Sequence, residues 1–186
     1  VSDPGAPVAE KPSPEPLSSR AQSRIVVIGD ALIDEIREGG RSREFVGGAG
    51  LNVAIGLSTL GTDTTLLAMV GDDDGGGRIR ATLAQYNVQL IASPSRHGTS
   101  RAVSSRISGE PVYTFNEAAK HRRIRFADDE RTAIRQAAAV VVSCFPFDDQ
   151  AQLDDLADSI AVSDAPLMID PNPRPGTLND RATFVR

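Results

Sequence analysis

The sequence predicts an α/β fold: a parallel sheet with helices on its faces and a small extra β-sheet at one edge. Three observations carry this. A short continuous apolar run at 25–28 is the mark of a strand buried on both faces, and further strands recur at 64–70, 139–142 and 167–169, of which 64–70 and 167–169 also read as buried. Stretches of helical periodicity separate these runs, and strands alternating with helices imply a parallel sheet. Two further segments, turning at Gly39-Gly40 and at Ser108-Gly109-Glu110, read as hairpins and do not fit that layering.

The elements follow in order. Residues 1–23 are rich in Pro, Ser, Ala and Glu and lack apolar periodicity, so they predict a disordered tail. They also lack the basic start, apolar stretch and cleavage site of a secretory signal. Ile25-Val26-Val27-Ile28 is the first buried strand and ends at Gly29-Asp30. Residues 35–46 alternate loosely about Gly39-Gly40, as a hairpin does. After Gly47-Gly48-Ala49-Gly50, residues 52–60 form a small-residue helix that Gly61 stops. Residues 64–70 are a second strand. Ile79, Leu83 and Tyr86 put a helix over 78–86, and 88–91 is a short strand. Residues 100–107 and 111–116 flank the second turn. A helix over 130–138 leads into a strand at 139–142, a helix over 150–160 carries Leu153, Leu156 and Ile160 on one face, and 167–169 is a strand ended by Asp170-Pro171-Asn172.

Composition narrows the function. The chain has 186 residues, one domain or a piece of a larger one. Its net charge of −5 disfavours nucleic-acid or anionic-membrane partners. Without Trp and with 4% aromatics, a stacking surface for bases is not expected. The single cysteine, Cys144, excludes an internal disulfide and a cysteine-built metal site, and His97 and His121 alone make no zinc centre. Cys144 reads as a small buried hydrophobe. No apolar run reaches the length of a membrane span. These features together predict a soluble, cytoplasmic protein.

Common phosphate and nucleophile templates fail. Gly48-x-Gly50 is followed by Val53 where a dinucleotide fingerprint needs Gly, and Gly75-Gly76-Gly77 is not followed by Lys-Ser/Thr. Leu83 stands where a calcium loop begun at Asp72 would need an acid. No Gly-x-Ser-x-Gly turn occurs. In parallel sheets, ligands bind beyond the carboxyl ends of the strands, where Asp30, Asp34, Asp72, Asp170 and Asn172 fall. The basic run His121-Arg122-Arg123-Ile124-Arg125 reads as a solvated loop.

The segment from Gly47 to Gly71 is more specific. A Gly-rich turn opening a helix exposes backbone N–H groups and lets a polar ligand approach closely. Asn52 in the first helical turn offers both a donor and an acceptor to a hydroxyl. Taken alone, the segment is equally a tight turn with Asn near a helix start.

The pattern Gly47-Gly48-Ala49-Gly50-Leu51-Asn52-Val53-Ala54, then Gly61 and Gly71, resembles the first signature of the ribokinase-like (PfkB-type) carbohydrate kinases. Gly29-Asp30-Ala31-Leu32-Ile33-Asp34, Val70-Gly71-Asp72-Asp73, residues 99–116 and Asp170-Pro171-Asn172-Pro173-Arg174 resemble further family segments in the same order. Asp34, Tyr113-Thr114-Phe115 and Asp170 to Arg174 look most like the fructokinase and 2-keto-3-deoxygluconate kinase branch.

The resemblance implies a ribokinase-like doubly wound parallel sheet, incomplete, with a small β lid. Residues 24–186 would be the N-terminal part of the kinase domain, with lid strands near 35–46 and 99–116. The implied activity is ATP-dependent phosphorylation of a hydroxyl on a small sugar or sugar acid; the alternative is a non-catalytic sugar-binding or regulatory remnant. The implied substrate-binding residues are Asp34, Gly48, Ala49, Gly50, Asn52, Phe115, Asn172 and Arg174. In this reading Asp34 accepts sugar hydroxyls, Asn52 and the Gly48 to Gly50 backbone hold another, Phe115 covers an apolar sugar face, and Arg174 reaches a carboxylate or the moving phosphate. Ordinary hairpin packing of Phe115 and a surface Arg174 are the competing readings. No Asp-Thr-x-Gly-Ala-Gly-Asp-like run occurs, so the catalytic base is expected beyond Arg186, with no catalytic and no metal-binding residue in this chain. A complete family member uses ATP and Mg2+, which this chain alone is not expected to bind tightly. The lid also makes a homodimer plausible.

Overall fold

A computed structural model describes residues 24–107 and 110–173. The tail at 1–23, the tip of the second hairpin at Ser108-Gly109, and Arg174 lie outside the described residues. The main sheet is wholly parallel and has the order β5-β4-β1-β8-β9. Its strands are β1 (Ile25–Gly29), β4 (Thr64–Val70), β5 (Gln89–Pro94), β8 (Ala139–Ser143) and β9 (Leu167–Asp170). From β1 the chain first winds one way, through β4 to β5, and later adds β8 and β9 on the other side. The strand order therefore reverses beside β1, where open α/β sheets leave a crevice.

The runs in β1, β4 and β8 behave as the pattern requires, whereas 167–169, expected as a buried strand, forms β9 with exposed side chains that join neither core cluster among the described residues. Val26 and Ile28 pack on one side of the sheet with Leu67, Ile134, Phe145 and Leu156, while Val27 packs on the other with Leu51, Leu66, Ile79 and Leu83. Alternate residues of one strand thus feed two cores, which is why β1 has no polar position until Asp30.

The helices are α1 (Ala49–Thr59), α2 (Asp74–Gln85), α3 (Glu117–Lys120), α4 (Asp128–Arg135) and α5 (Gln150–Ile160). Helix α1 begins at Ala49, before the 52–60 expected, because Asp30 supplies its first acceptors: the Asp30 carboxylate takes the Gly50 N–H at 3.0 Å and its carbonyl takes Leu51 at 3.0 Å. Helix α2 starts at Asp74 rather than 78. Asp73 caps it by accepting the Gly76 N–H, which makes helical a glycine run of low intrinsic propensity. The short helix α3, capped by Asn116, has no signal in the sequence periodicity.

The two hairpins form one four-stranded sheet separate from the main one, as the sequence predicts. Its order is β3-β2-β6-β7, from β2 (Leu32–Glu38), β3 (Arg41–Gly47), β6 (Arg101–Ile107) and β7 (Glu110–Phe115). The hairpins join through a parallel pairing of β2 with β6, in which Asp34 lies opposite Ala102 and Ile36 opposite Ser104.

Candidate functional site

A cavity of about 490 Å³ opens between the small sheet and the carboxyl ends of β1, β8 and β9. The pleat of the small sheet builds one wall. Side chains two apart on a strand share a face, so the pairings Phe45–Asp34–Ala102–Phe115 run across all four strands as one row. The next row places Ile36 beside Ser104 and Ser104 beside Tyr113. All seven of these residues line the cavity. The wall is mixed, with a carboxylate set among aromatic and aliphatic surface. Ile36, Phe45 and Tyr113 remain substantially exposed. On the same strand, Glu35 is engaged by Arg37 and Ser42, each at 2.7 Å, and the Arg37 hydrogen bond holds its carboxyl below the usual range.

Gly47 shows how the Asp34 carboxylate is accommodated. A Cβ at Gly47 would overlap the Asp34 carboxylate, so the first glycine of the turn makes room for it. At Gly48 the backbone has φ 115°, a left-handed region open to glycine, and a Cβ would stand 2.6 Å from the Asp30 carbonyl oxygen. These two positions explain why the turn cannot carry side chains.

Six of the eight sequence-predicted positions line this one cavity: Asp34, Gly48, Ala49, Asn52, Phe115 and Asn172. Asn52 is exposed on the first turn of α1, and Asn172 sits beyond β9 with φ 40°. Gly50 is not among the lining residues. Its N–H is taken by Asp30, and its Cα packs so closely on Gly29 that a Cβ would lie 2.8 Å from the Gly29 Cα. Of the glycine turn, Gly48 and Ala49 line the cavity, and Gly50 packs helix against strand behind them. Arg174 lies outside the described residues.

The structure also overturns one reading. The run His121 to Arg125 is not uniformly solvated. It alternates, with His121, Arg123 and Arg125 outward and Arg122, Ile124 and Phe126 buried. The Arg122 side chain is 8% exposed and lines the cavity. It donates to the Cys144 carbonyl at 2.9 Å and stands 3.7 Å from the Asp30 carboxylate. The alternation His-Arg-Arg-Ile-Arg-Phe, with apolar residues every second position from 124, was the available signal. Cys144 is buried as predicted, with φ 53°, and also lines the cavity. Burial pushes its thiol up from the ordinary value, and the Asp30 charge adds to this, so it is a neutral wall group and not a nucleophile.

With this arrangement of turn, wall and strand ends in view, comparison with known proteins is decisive: residues 22–182 match the pfkB family carbohydrate kinase description. The chain belongs to the pfkB family of carbohydrate kinases. Among sequence relatives, this pfkB-family chain is 40% identical over 96 residues to a fructokinase of Klebsiella pneumoniae, covering 50% of this chain and 31% of that protein. It is 35% identical over 97 residues to a fructokinase of Salmonella typhimurium, covering 50% of this chain and 32% of that protein. Among solved structures, the fructokinase of Vibrio cholerae O395 in apo form superposes with a TM-score of 0.72 at 25% identity, covering 89% of this chain and 60% of that one. The fructokinase of Xylella fastidiosa with bound ATP gives 0.71 at 20% identity, covering 86% and 52%. The matches thus span about a third of the length of these sequence relatives and little more than half of the structural ones. The fold is that of a ribokinase-like kinase.

Proposed function

We propose that this chain supplies the sugar-holding part of an ATP-dependent carbohydrate kinase acting on a hydroxyl of a small sugar or sugar acid. One observation carries the reading: a carboxylate, a carboxamide and a row of aromatic side chains, drawn from both sheets and from α1, converge on one cavity at the end of a parallel sheet. Polyols need this mixture. Asp34 accepts hydrogen bonds from vicinal hydroxyls, which are stronger for the charge. Asn52 both donates and accepts, so it fixes a hydroxyl in one orientation. Phe115, Phe45 and Tyr113 cover C–H surface of the ring and exclude water that would compete for the phosphoryl group. Asn172 closes the side of the cavity beyond β9.

ATP, when bound to a complete enzyme, supplies the phosphoryl group. Among the described residues no group of three His, Cys, Asp or Glu side chains is placed to hold a metal ion, and the Gly50 and Leu51 amides at the start of α1 are already used by Asp30. The work assigned here to this chain is to hold and orient the acceptor hydroxyl, which is one part of the catalytic work.

Titration calorimetry of the 186-residue chain with fructose and with 2-keto-3-deoxygluconate tests the reading, alongside a coupled ADP-release assay. Saturable binding of one of them without turnover is expected. No binding of either would overturn the sugar-holding role, and turnover within the ordinary enzyme range of about 1–1,000 per second would overturn the division of labour.

A further inference from the structure

We propose that Asp30 and Arg122 form a specificity-determining pair in which Asp30 cancels the charge of Arg122, so that the cavity takes a neutral sugar and discriminates against the sugar acid of the same skeleton. The inference rests on the sugar-holding reading above and narrows its substrate class.

Arg122 is the one cation among the described residues lining the cavity. It occupies an inward slot of an alternating segment whose next two inward residues are Ile124 and Phe126, where the pattern calls for an apolar side chain. A guanidinium in such a slot, next to a polyol site, would by itself attract a carboxylate. The structure spends that attraction internally. Both side chains of the pair are more than nine-tenths buried, at 8% and 6% exposure, and they face each other at 3.7 Å. In a poorly solvated wall two opposite charges so close act together as a dipole, not as a free cation. The Arg122 Nη1 group is also committed to the Cys144 carbonyl and sulfur.

The carboxylate is held from both sides. One Asp30 oxygen accepts the Gly50 N–H at the start of α1 and the other faces Arg122, so strand β1, the glycine turn and the 121–126 segment share one anchor. Behind the pair lies a pocket of about 10 Å³ that Asp30 and Arg122 line together with Ser100. The Ser100 hydroxyl is the buried side-chain group that lacks a hydrogen-bond partner among the described residues. That space has room for one water and nothing larger. The inner side of the pair is therefore closed to ligand, and any substituent must meet it from the sugar side, where its charges cancel.

Asp30→Asn tests this directly, since an asparagine oxygen can still accept the Gly50 N–H while the negative charge is lost. The probes are D-fructose and 2-keto-D-gluconate, which is fructose with its C1 hydroxymethyl group oxidised to carboxylate. Calorimetric titration of the wild-type chain should show the neutral sugar bound at least tenfold more tightly. In Asp30→Asn the ratio should move by tenfold or more toward the acid, and adding Arg122→Gln should return it toward the wild-type value. A wild-type chain that binds the acid as tightly as fructose overturns the proposal whether or not the variants fold. So does an unchanged ratio in a folded Asp30→Asn chain. Binding of neither probe overturns the proposal, and the sugar-holding reading falls with it when 2-keto-3-deoxygluconate is not bound either.

Discussion

Asp73 and Thr99, 26 residues apart, are joined by two hydrogen bonds: the Asp73 carboxylate accepts the Thr99 N–H at 2.8 Å and the Thr99 hydroxyl. The same carboxylate caps α2 through the Gly76 N–H at 2.9 Å. One side chain therefore ties the glycine-rich start of α2 to the segment that enters β6, and so ties the main sheet to the small one that walls the cavity.

Replacing Asp73 with Ala should cost about 1–2 kcal/mol, at the upper end for an N-cap because the Thr99 bonds go as well. Denaturant unfolding measures it. The Thr99 hydroxyl, ahead of the backbone donors, holds the Asp73 carboxyl below its ordinary value. A carboxyl lowered on folding stabilises the fold above its unfolded pKa of about 3.9, and that stability is lost as pH falls through the lowered folded value. Asp73→Asn should therefore flatten the acid limb of the stability profile below about pH 4; an acid limb identical to wild type would refute the assignment.

Gly50→Ala should be destabilising, although Gly50 itself does not line the cavity. The added methyl meets the Gly29 Cα at 2.8 Å and the Asp30 nitrogen at 2.9 Å, both backbone, so α1 must shift off the sheet. Overpacking of this kind costs about 1–3 kcal/mol. Gly56→Ala, where the new Cβ meets nothing within 4 Å, is the matched control and should be neutral or slightly stabilising in thermal unfolding.

Gln152 is 1% exposed and spans the backbone of Ile124, accepting its N–H at 2.6 Å and donating to its carbonyl at 3.0 Å. It pins the segment that carries Arg122. Gln152→Leu keeps the volume but leaves a buried donor and acceptor unpaired, at about 1–3 kcal/mol for each group. The expected readout is a lower unfolding midpoint together with faster amide exchange at Ile124.

Asp34→Ala should weaken sugar binding by about 1.5–3 kcal/mol, the range for hydrogen bonds to a charged group, which is roughly ten- to a hundredfold in Kd. Titration calorimetry checks it, with circular dichroism to confirm that the small sheet remains formed. An unaltered Kd would remove Asp34 from the site.

Much of this protein was determined by local sequence. The apolar runs at 25–28, 66–70 and 139–142 specify two-faced strands, since only a strand covered on both sides hides four or more consecutive apolar residues. Gly47 and Gly48 announce a turn that no side chain fits, and Gly39-Gly40, both at positive φ, announce the first hairpin. Asn52 and Asn172 could be placed beside the cavity because a helix start and a strand end fall on the ligand side of a parallel sheet, whereas Asp34 reaches it from within β2 of the small sheet. Tertiary structure decided the rest. The row Phe45–Asp34–Ala102–Phe115 exists only because β2 pairs in parallel with β6 across more than sixty residues of chain, in one register; a slip by one residue would turn Asp34 away from Phe115. Arg122 reads as solvated in isolation because a buried guanidinium is too costly without an opposing charge. That charge, Asp30, lies 92 positions earlier in the chain, and only the packing of the 121–126 segment against the end of β1 brings the two together.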